Sequence, residues 1–301
     1  VEEGLEQRYD GHPPIEVLKQ ADYECGVICQ MQFCGYFLVV ADYINWAKSH
    51  GVMVGPGRGS AAGAMVAYAM GITELDPIKH GLIFERFLNP ERVSLPDIDV
   101  DFDPDGRGRV LDYVGDKYGR DKVAQCVIYG TIKTKQALKD SARIMGYEFS
   151  MGERITKALP PAQTGGKDIP LHDIFEPTSK RYAEAREFRE LYDSDPDAKR
   201  VTDEAMGIEG LIRQTGVHAC ATIMGSEPIS NTSPLLERTD GTVTTTLEYH
   251  TCETLGLVKM DFLGLSNLTV IRDTLNNIEA NGKERICLLY TSPSPRDPKT
   301  S

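Results

Sequence analysis

Four aspartates at every second position constrain the fold of this chain more than any other feature of its sequence. They stand in the run Pro96-Asp97-Ile98-Asp99-Val100-Asp101-Phe102-Asp103. Strict alternation of apolar and charged residues predicts a β-strand, because successive side chains of a strand point to opposite faces. Ile98, Val100 and Phe102 should therefore face a core, and all four carboxylates should share the other face.

A row of like charges on one strand face is unfavourable unless water or bound cations neutralise it. The row alone allows two interpretations. Carboxylate oxygens at this spacing suit Mg²⁺, which binds through one or two carboxylates plus substrate phosphates. Alternatively, the row belongs to a solvated edge strand whose charges prevent aggregation.

A glycine-rich segment, Gly55-Pro56-Gly57-Arg58-Gly59-Ser60, lies between a predicted short strand at 52–54 and a predicted helix at 61–70. Glycines let a ligand approach the main chain, and the first N–H groups of a helix attract anions. Ser60 adds a hydroxyl and Arg58 a charged fork, so the segment predicts a phosphate-binding loop. It matches neither a Walker A loop nor a dinucleotide fingerprint. A tight connection without a ligand is the alternative.

Lys259 and Asp261 lie two residues apart in a predicted strand at 255–262 and so share one of its faces. Such a pair alone is typical of an ordinary polar face. In combination, a Gly-Ser loop, a later Asp-x-Asp strand and a third aspartate on another strand are what a two-metal nucleotidyl transferase requires.

Helical and strand patterns along the rest of the chain predict a mixed fold of the α/β (α+β) class. The region 146–211 has charged helical patterns, a Pro160-Pro161 pair and little strand propensity. We therefore predict a helical insertion at 133–212 within a sheet domain made of 1–132 and 213–282. The Ser/Thr/Pro-rich residues 283–301 are predicted to be a disordered tail, with a native linker and non-native sequence both left open.

Composition narrows the class of protein. Hydrophobic residues make up 41% of the 301 residues and charged residues 26%, which is typical of globular proteins. No apolar run approaches the roughly 20 residues that a membrane span needs, so we expect a soluble, cytoplasmic protein without a membrane partner. Seven cysteines without a CxxC pair favour neither a disulfide framework nor a zinc site. Because the chain begins with Val1 rather than methionine, we expect a fragment.

The net charge of −12 argues by itself against a polyanionic partner, but the charge is unevenly distributed. Residues 107–157 hold eleven basic against six acidic residues. Within this region Lys135, Lys139 and Arg143 are spaced four apart on one predicted helix and so form a stripe. The stripe can follow a nucleic-acid backbone, or it is a solvated helix face with Asp140 as a local partner.

Four longer motifs occur in order along the chain. They are Gly55-Pro56-Gly57-Arg58-Gly59-Ser60-Ala61-Ala62-Gly63, Phe84-Glu85-Arg86-Phe87-Leu88-Asn89-Pro90-Glu91-Arg92, Pro96-Asp97-Ile98-Asp99-Val100-Asp101-Phe102 and Lys259-Met260-Asp261-Phe262-Leu263-Gly264-Leu265. Together they closely resemble the DNA polymerase III alpha family, the C-family replicative polymerases of bacteria. The resemblance extends over about 1–282.

This resemblance implies a palm like that of polymerase-β-type nucleotidyl transferases, with a helical thumb inserted into it. It implies DNA-directed DNA polymerase activity in which Asp99, Asp101 and Asp261 hold two Mg²⁺ ions, whereas Asp97 and Asp103 do not match the family's metal ligands. The same motif match assigns nucleotide binding to Arg58, Gly59, Ser60 and Lys259.

The family resemblance also implies partners. These are primer-template DNA, deoxynucleoside triphosphates, and a sliding clamp and other replisome subunits that bind through regions beyond these residues. Arg107, Lys135, Lys139 and Arg143 are the DNA-binding candidates. Many members carry adjacent basic residues after the aspartate strand, whereas here Gly106 precedes Arg107, so one phosphate contact is expected to be missing.

The family's amino-terminal PHP domain, its fingers and its carboxy-terminal parts have no counterpart here, so we expect the isolated fragment to be inactive. Two other functions remain open at this stage. One is a catalytically silent nucleic-acid-binding or scaffold module, and the other is a nucleotidyl transferase that works without a template.

Overall fold

The structure is a computed structural model that describes residues 1–91, 96–162, 168–284 and 286. The predicted disordered tail therefore lies largely outside the described residues, as does Arg92 of the second motif.

Twelve α-helices and six strands are present in the described residues. The helices are α1 (Glu2–Arg8), α2 (Ile15–Gln30), α3 (Cys34–Ser49), α4 (Met65–Ala69), α5 (Pro104–Tyr118), α6 (Thr134–Ile144), α7 (Phe149–Lys157), α8 (Leu171–Phe175), α9 (Arg186–Ser194), α10 (Pro196–Ile208), α11 (Tyr249–Thr254) and α12 (Ser266–Ala280). The strands are β1 (Asp99–Phe102), β2 (Val123–Thr131), β3 (Ile212–Met224), β4 (Leu235–Glu237), β5 (Val243–Thr245) and β6 (Val258–Gly264).

The strands form one mixed sheet in the order β1-β6-β3-β2-β5-β4. β1 pairs with β6 in parallel, and β3 pairs with β6 antiparallel. At the other edge, β4 and β5 pair antiparallel. Helices and a mixed sheet together confirm the predicted α/β (α+β) class.

The chain divides into two compact units. The first is discontinuous and consists of Val1–Cys126 and His218–Ser301, the latter without its undescribed residues. The second is the continuous segment Val127–Val217, which contains α6 to α10. β2 and β3 contribute residues to both units.

In the first unit the core lies between the sheet and helices α2, α3 and α5. Phe102 of β1 and Phe262 of β6 are fully buried, with ring centroids 5.7 Å apart, and Tyr43 of α3 packs on Phe262 at 4.8 Å. Burial of large aromatic rings supplies much of the stabilisation of such a core. One face of β1 and β6 is therefore buried in this core.

The second unit has a core of its own, built from helices. Leu138 of α6, Ile155 of α7, Phe188 of α9 and Val201 of α10 are all buried within it. On α10 the buried residues Ala198, Val201 and Ala205 are three and four positions apart, as expected for an amphipathic helix that buries one stripe.

The predicted strand at 52–54 is wrong, since the described structure has only an isolated bridge between Val54 and Phe102. The predicted helix at 61–70 is interrupted. A 3₁₀ turn spans Gly59–Gly63, Ala64 is extended at φ −94° and ψ 120°, and α4 follows. A side chain at Gly63 would come within 2.8 Å of the carbonyl oxygen of Ile83, so a close backbone contact occupies this point of the chain.

Within the described residues, no single helix is long and apolar enough to cross a membrane. Among the helices of the described segments, α2 and α3 reach the required length and apolar composition when taken together, across a bend of 115°.

Candidate metal and nucleotide site

The parallel pairing of β1 with β6 places Asp99 directly opposite Asp261. In β1, Val100 and Phe102 are buried in the core while Asp99 and Asp101 are partly exposed. The predicted alternation is therefore confirmed. Neighbouring strands lie about 4.8 Å apart, so residues in register on one face bring their carboxylates close together.

Three carboxylates converge at this point. One oxygen from each of Asp97, Asp99 and Asp261 lies within 4.8 Å of the other two. Asp261 is 7% exposed, and its Oδ1 is buried without a hydrogen-bond partner among the described residues. A buried oxygen with no donor is unfavourable, and a hard divalent cation such as Mg²⁺ would satisfy it. The residues present therefore fit a metal ion.

Asp101 stands outside this converging set, although it is one of the predicted ligands, and Asp97 stands inside it. The sequence carried a signal for Asp97, because the alternation places it on the same strand face as Asp99. The motif match assigned it no role. The structure thus brings together two of the three predicted ligands with one further carboxylate.

The pKa of Asp99 is raised above its usual value. Burial is the main cause, and the negative charge of Asp97 adds to it, while Arg58 acts in the opposite direction. A carboxylate cluster of this kind favours a cation, because a positive charge among the acids would offset both burial and mutual repulsion.

The glycine-rich loop lies against β1. The amide of Gly55 donates to the carbonyl of Asp101 at 2.8 Å, and the amide of Asp103 donates to the carbonyl of Met53 at 2.9 Å. Arg58 reaches both acids of the strand: its Nη1 donates to Oδ1 of Asp101 at 3.2 Å, and its Nε lies 3.6 Å from Oδ2 of Asp99.

Two glycines of this loop have backbone conformations that favour glycine. Gly57 has φ +113°, and a side chain there would come within 2.8 Å of Thr73. Gly59 has φ +63°. Arg58, Gly59 and Ser60 are exposed at the tip of the loop, as a phosphate ligand would require. A 3₁₀ turn follows instead of the predicted helix, so the expected helix N-terminus is not part of this site.

Lys259 lies on the same strand face as Asp261, as predicted. Its Nζ is 2.8 Å from Oδ2 of Asp261 and 3.2 Å from Oδ1 of Asp97, and it stands over the ring of Tyr249. Burial lowers the pKa of Lys259, but the hydrogen bond and charge of Asp261 and the charge of Asp97 outweigh it, so the net shift is upward. Lys259 is therefore a fixed cation at one side of the cluster.

A cavity of about 1040 Å³ borders this cluster. Asp97 and Lys259 line it, together with the aromatic rings of Tyr36, Tyr118 and Tyr249. The hydroxyl of Tyr36 accepts a hydrogen bond at 2.9 Å from the amide of Ile98. This hydrogen bond fixes the segment that precedes β1 to a residue that lines the cavity.

The fourth aspartate of the row has a different environment. Asp103 follows the last residue of β1, is 1% exposed and caps α5, where it accepts from the amide of Asp105. Thr269 and Arg272 of α12 also bind its carboxylate. Asp103 therefore joins α5 to α12 and lies outside the converging acids. An Asp-Pro pair at a helix start is a capping pattern that could have indicated this role.

The basic residues predicted to bind DNA all have partners within the protein. Those of the stripe on α6 are paired with acids: Lys135 with Asp168 at 2.8 Å, Lys139 with Glu153, and Arg143 with Asp140 at 3.1 Å. In the first unit, Arg107 donates to the carbonyls of Phe262 and Ala219, each at 2.7 Å.

Comparison with known proteins gives a consistent result. The family model described as "Bacterial DNA polymerase III alpha NTPase domain" matches residues 1–264. The protein named DNA polymerase III subunit alpha from Mycobacterium tuberculosis (strain CDC 1551 / Oshkosh) is 56% identical over 284 residues, which are 93% of this chain. The proteins of the same name from Aquifex aeolicus (strain VF5) and Thermus aquaticus are each 44% identical to this chain, over 89% and 96% of its length.

The chain spans 24% of the length of the M. tuberculosis and A. aeolicus proteins and 23% of that of T. aquaticus. The match of the family model nevertheless covers most of the chain and includes the glycine-rich loop, β1 and β6. This chain belongs to the bacterial DNA polymerase III alpha family.

Proposed function

We propose that this chain is the catalytic palm of a replicative DNA polymerase, of the polymerase-β nucleotidyl transferase type, with the thumb inserted near 133–212. It would take part in adding deoxynucleotides to a primer 3′ end. The observation that carries the proposal is the pairing of Asp99 with Asp261 across β1 and β6, with a buried oxygen of Asp261 left without a donor.

In the proposed reaction, Asp99, Asp101 and Asp261 would hold two Mg²⁺ ions, which would supply charge to activate the attacking hydroxyl and to stabilise the leaving pyrophosphate. The protein's own groups do the positioning. Lys259 holds the carboxylate of Asp261 in place through Oδ2, which leaves Oδ1 available. Asp97 lies near the same oxygens and adds negative charge to the site.

The exposed tip of the glycine-rich loop binds the incoming nucleotide in this proposal. Arg58 contributes two donors to the triphosphate, and the amide of Gly59 and the hydroxyl of Ser60 add neutral ones. Lys259 offsets part of the phosphate charge. The hydrogen bond from the amide of Gly55 to the carbonyl of Asp101 holds the loop against β1. The loop and the strand would therefore position the nucleotide and the acids relative to each other.

Primer-template DNA is the proposed macromolecular substrate, contacted at its phosphates by Arg107 in the first unit and by Lys135, Lys139 and Arg143 in the second. The sliding clamp and other replisome subunits would bind to parts of the protein beyond these residues. The cytoplasm is the proposed location.

The test is replacement of each proposed ligand in the full-length parent protein. Asp99→Asn, Asp101→Asn and Asp261→Asn should each reduce primer extension by a factor on the order of 100 or more, because each removes an anionic group that stabilises the transition state through its cation. The fold should persist, since these changes also relieve repulsion. Steady-state primer extension and circular dichroism measure the two effects.

Asp116→Asn is the matched control, because Asp116 is exposed on α5 of the same unit and pairs with Arg120 at 2.7 Å. It should extend primers normally. Near-normal turnover by any of the three ligand variants would refute the two-metal assignment.

A further inference from the structure

Arg58 forms ion pairs with both acids of β1 in this structure. Its Nη1 lies 3.2 Å from Oδ1 of Asp101 and its Nε lies 3.6 Å from Oδ2 of Asp99. Both carboxylates are proposed metal ligands, and Arg58 itself is a proposed ligand of the nucleotide's phosphates. One guanidinium therefore has two kinds of partner, which compete for it.

We propose that Arg58 is a positioning residue that exchanges partners. It neutralises Asp99 and Asp101 until a divalent cation binds, and it then moves to the phosphates of the nucleotide. This inference rests on the proposed function of the site, and it adds an order of events to it.

Electrostatics gives the reason for the exchange. A carboxylate that coordinates a divalent cation binds a guanidinium less strongly, because the cation offsets its negative charge and the two positive charges repel each other at short range. Entry of the cation therefore weakens both contacts of Arg58. A triphosphate beside the loop offers the planar guanidinium a bidentate partner of higher negative charge.

The surroundings of Arg58 permit the movement. Its side chain is 47% exposed at the tip of the loop, between Gly57 and Gly59, which both have positive φ. Lys259 differs in this respect, because its side chain is 13% exposed and lies between Asp261 and Asp97 over the ring of Tyr249. Of these two cations, Arg58 is the exchangeable one and Lys259 is the fixed one.

Thermodynamic linkage then couples metal and nucleotide. If the metal releases Arg58, it increases the affinity for the nucleotide, and the nucleotide must increase the affinity for the metal by the same factor. Before metal binding, Arg58 is engaged with carboxylates and contributes little to nucleotide binding.

The first measurement is Mn²⁺ binding to the full-length parent protein, followed by electron paramagnetic resonance. Arg58→Gln should bind Mn²⁺ about 3- to 10-fold more tightly than the unmodified protein, as expected when two partly exposed ion pairs no longer compete. Arg58→Lys keeps the charge but cannot span both acids, so its affinity should lie between the two. Arg120→Gln removes an arginine that pairs with Asp116 and Asp112 and should have no effect.

The second measurement is binding of a fluorescent deoxynucleoside triphosphate, with Mn²⁺ or with EDTA. Arg58→Gln should weaken nucleotide binding several-fold when Mn²⁺ is present and leave it unchanged in EDTA. Equal weakening under both conditions would overturn the exchange, because it would show that Arg58 is free for the nucleotide before metal binds.

The outcomes separate this inference from the proposed function. Suppose that the unmodified protein binds Mn²⁺, that Asp261→Asn does not bind it, and that Arg58→Gln binds it with unchanged affinity. The exchange is then refuted, and the metal site stands. If the unmodified full-length protein and its Asp261→Asn variant bind Mn²⁺ equally, or neither binds it, the metal site itself is refuted.

Discussion

At the scale of the residue, Asp261 shows how one carboxylate can hold its position and still offer a free ligand atom. Its Oδ2 lies 2.8 Å from Nζ of Lys259, and its Oδ1 is buried without a partner among the described residues. Because the ion pair fixes the orientation of the carboxylate, the unpaired oxygen is presented in one direction. Such preorganisation lowers the cost of binding a cation.

Glu24 is another buried acid of the first unit, and it belongs to the core rather than to the carboxylate cluster. It is fully buried on α2, where one oxygen accepts from the amide of Val66 at 2.9 Å and the other from Nε2 of Gln20 at 3.0 Å. Burial raises the pKa of Glu24, and these hydrogen bonds only partly offset it. Its ionised form is therefore a source of instability.

Glu24→Gln should change how stability depends on pH. Since the pKa is higher in the folded state, the contribution of Glu24 to stability is fully present below its unfolded pKa of about 4.5 and is lost as pH rises through the folded pKa. A glutamine at this position cannot ionise, so the variant should gain stability relative to the unmodified chain as pH rises. The gain should approach about 1.4 kcal/mol for each unit by which the pKa is raised.

Urea unfolding at a series of pH values from about 4 to 8 measures this difference, a range that brackets the unfolded pKa of a glutamate and the values above it. Glu16→Gln, an exposed change on the same helix, is the control and should give a parallel curve. The assignment is wrong if Glu24→Gln also runs parallel to the unmodified chain at every pH.

At the scale of the element, β1 shows what a sequence can predict. The period of two is set by the covalent geometry of an extended chain, so the alternation correctly separated Val100 and Phe102 from Asp99 and Asp101. Where the carboxylates meet was not predictable, because it depends on the register with β6, more than 150 residues later in the chain. Spacing within one strand carries no information about that register.

The interrupted helix after the glycine-rich loop illustrates the opposite case. Small residues between Ala61 and Met70 are good helix formers, and the prediction used that preference. The contact between Gly63 and the backbone of Ile83 is not visible from local sequence.

The stripe on α6 carries a prediction for DNA binding. Replacing Lys135, Lys139 and Arg143 together by Gln in the full-length parent should weaken primer-template binding equally for all sequences, because phosphate contacts carry no base information. The slope of log affinity against log salt should fall by up to about 0.9 for each phosphate that the protein no longer neutralises. Nucleotide affinity should barely change.

A control triple variant at Arg186, Lys199 and Arg200 removes the same charge from exposed positions on α9 and α10 of the second unit. Fluorescence anisotropy at several salt concentrations compares the two. If the stripe variant keeps the slope of the unmodified protein, the three cations serve only their acidic partners Asp168, Glu153 and Asp140.

At the scale of the whole molecule, the chain spans about a quarter of the length of the proteins it resembles. We expect the 301-residue chain alone to bind Mg²⁺ and nucleotide weakly and to extend primers negligibly, because positioning supplies much of the catalysis in phosphoryl-type transfer. Large apolar side chains such as Phe149 and Ile144 are more than three-quarters exposed, so self-association is also expected.

Primer extension and size-exclusion chromatography of the isolated chain test this expectation, with the full-length parent as the positive control. Robust templated synthesis by a monodisperse monomer would contradict it.

The discontinuity of the first unit also has a consequence for biosynthesis. A ribosome completes β1 about 160 residues before it reaches the end of β6, an interval of about 8 to 30 s at ordinary elongation rates. During that interval Val127–Val217, a continuous segment rich in local helical contacts, can fold on the nascent chain. The acidic strand must wait for its parallel neighbour, so translation that halts between the two strands leaves a folded helical unit beside an unformed carboxylate site.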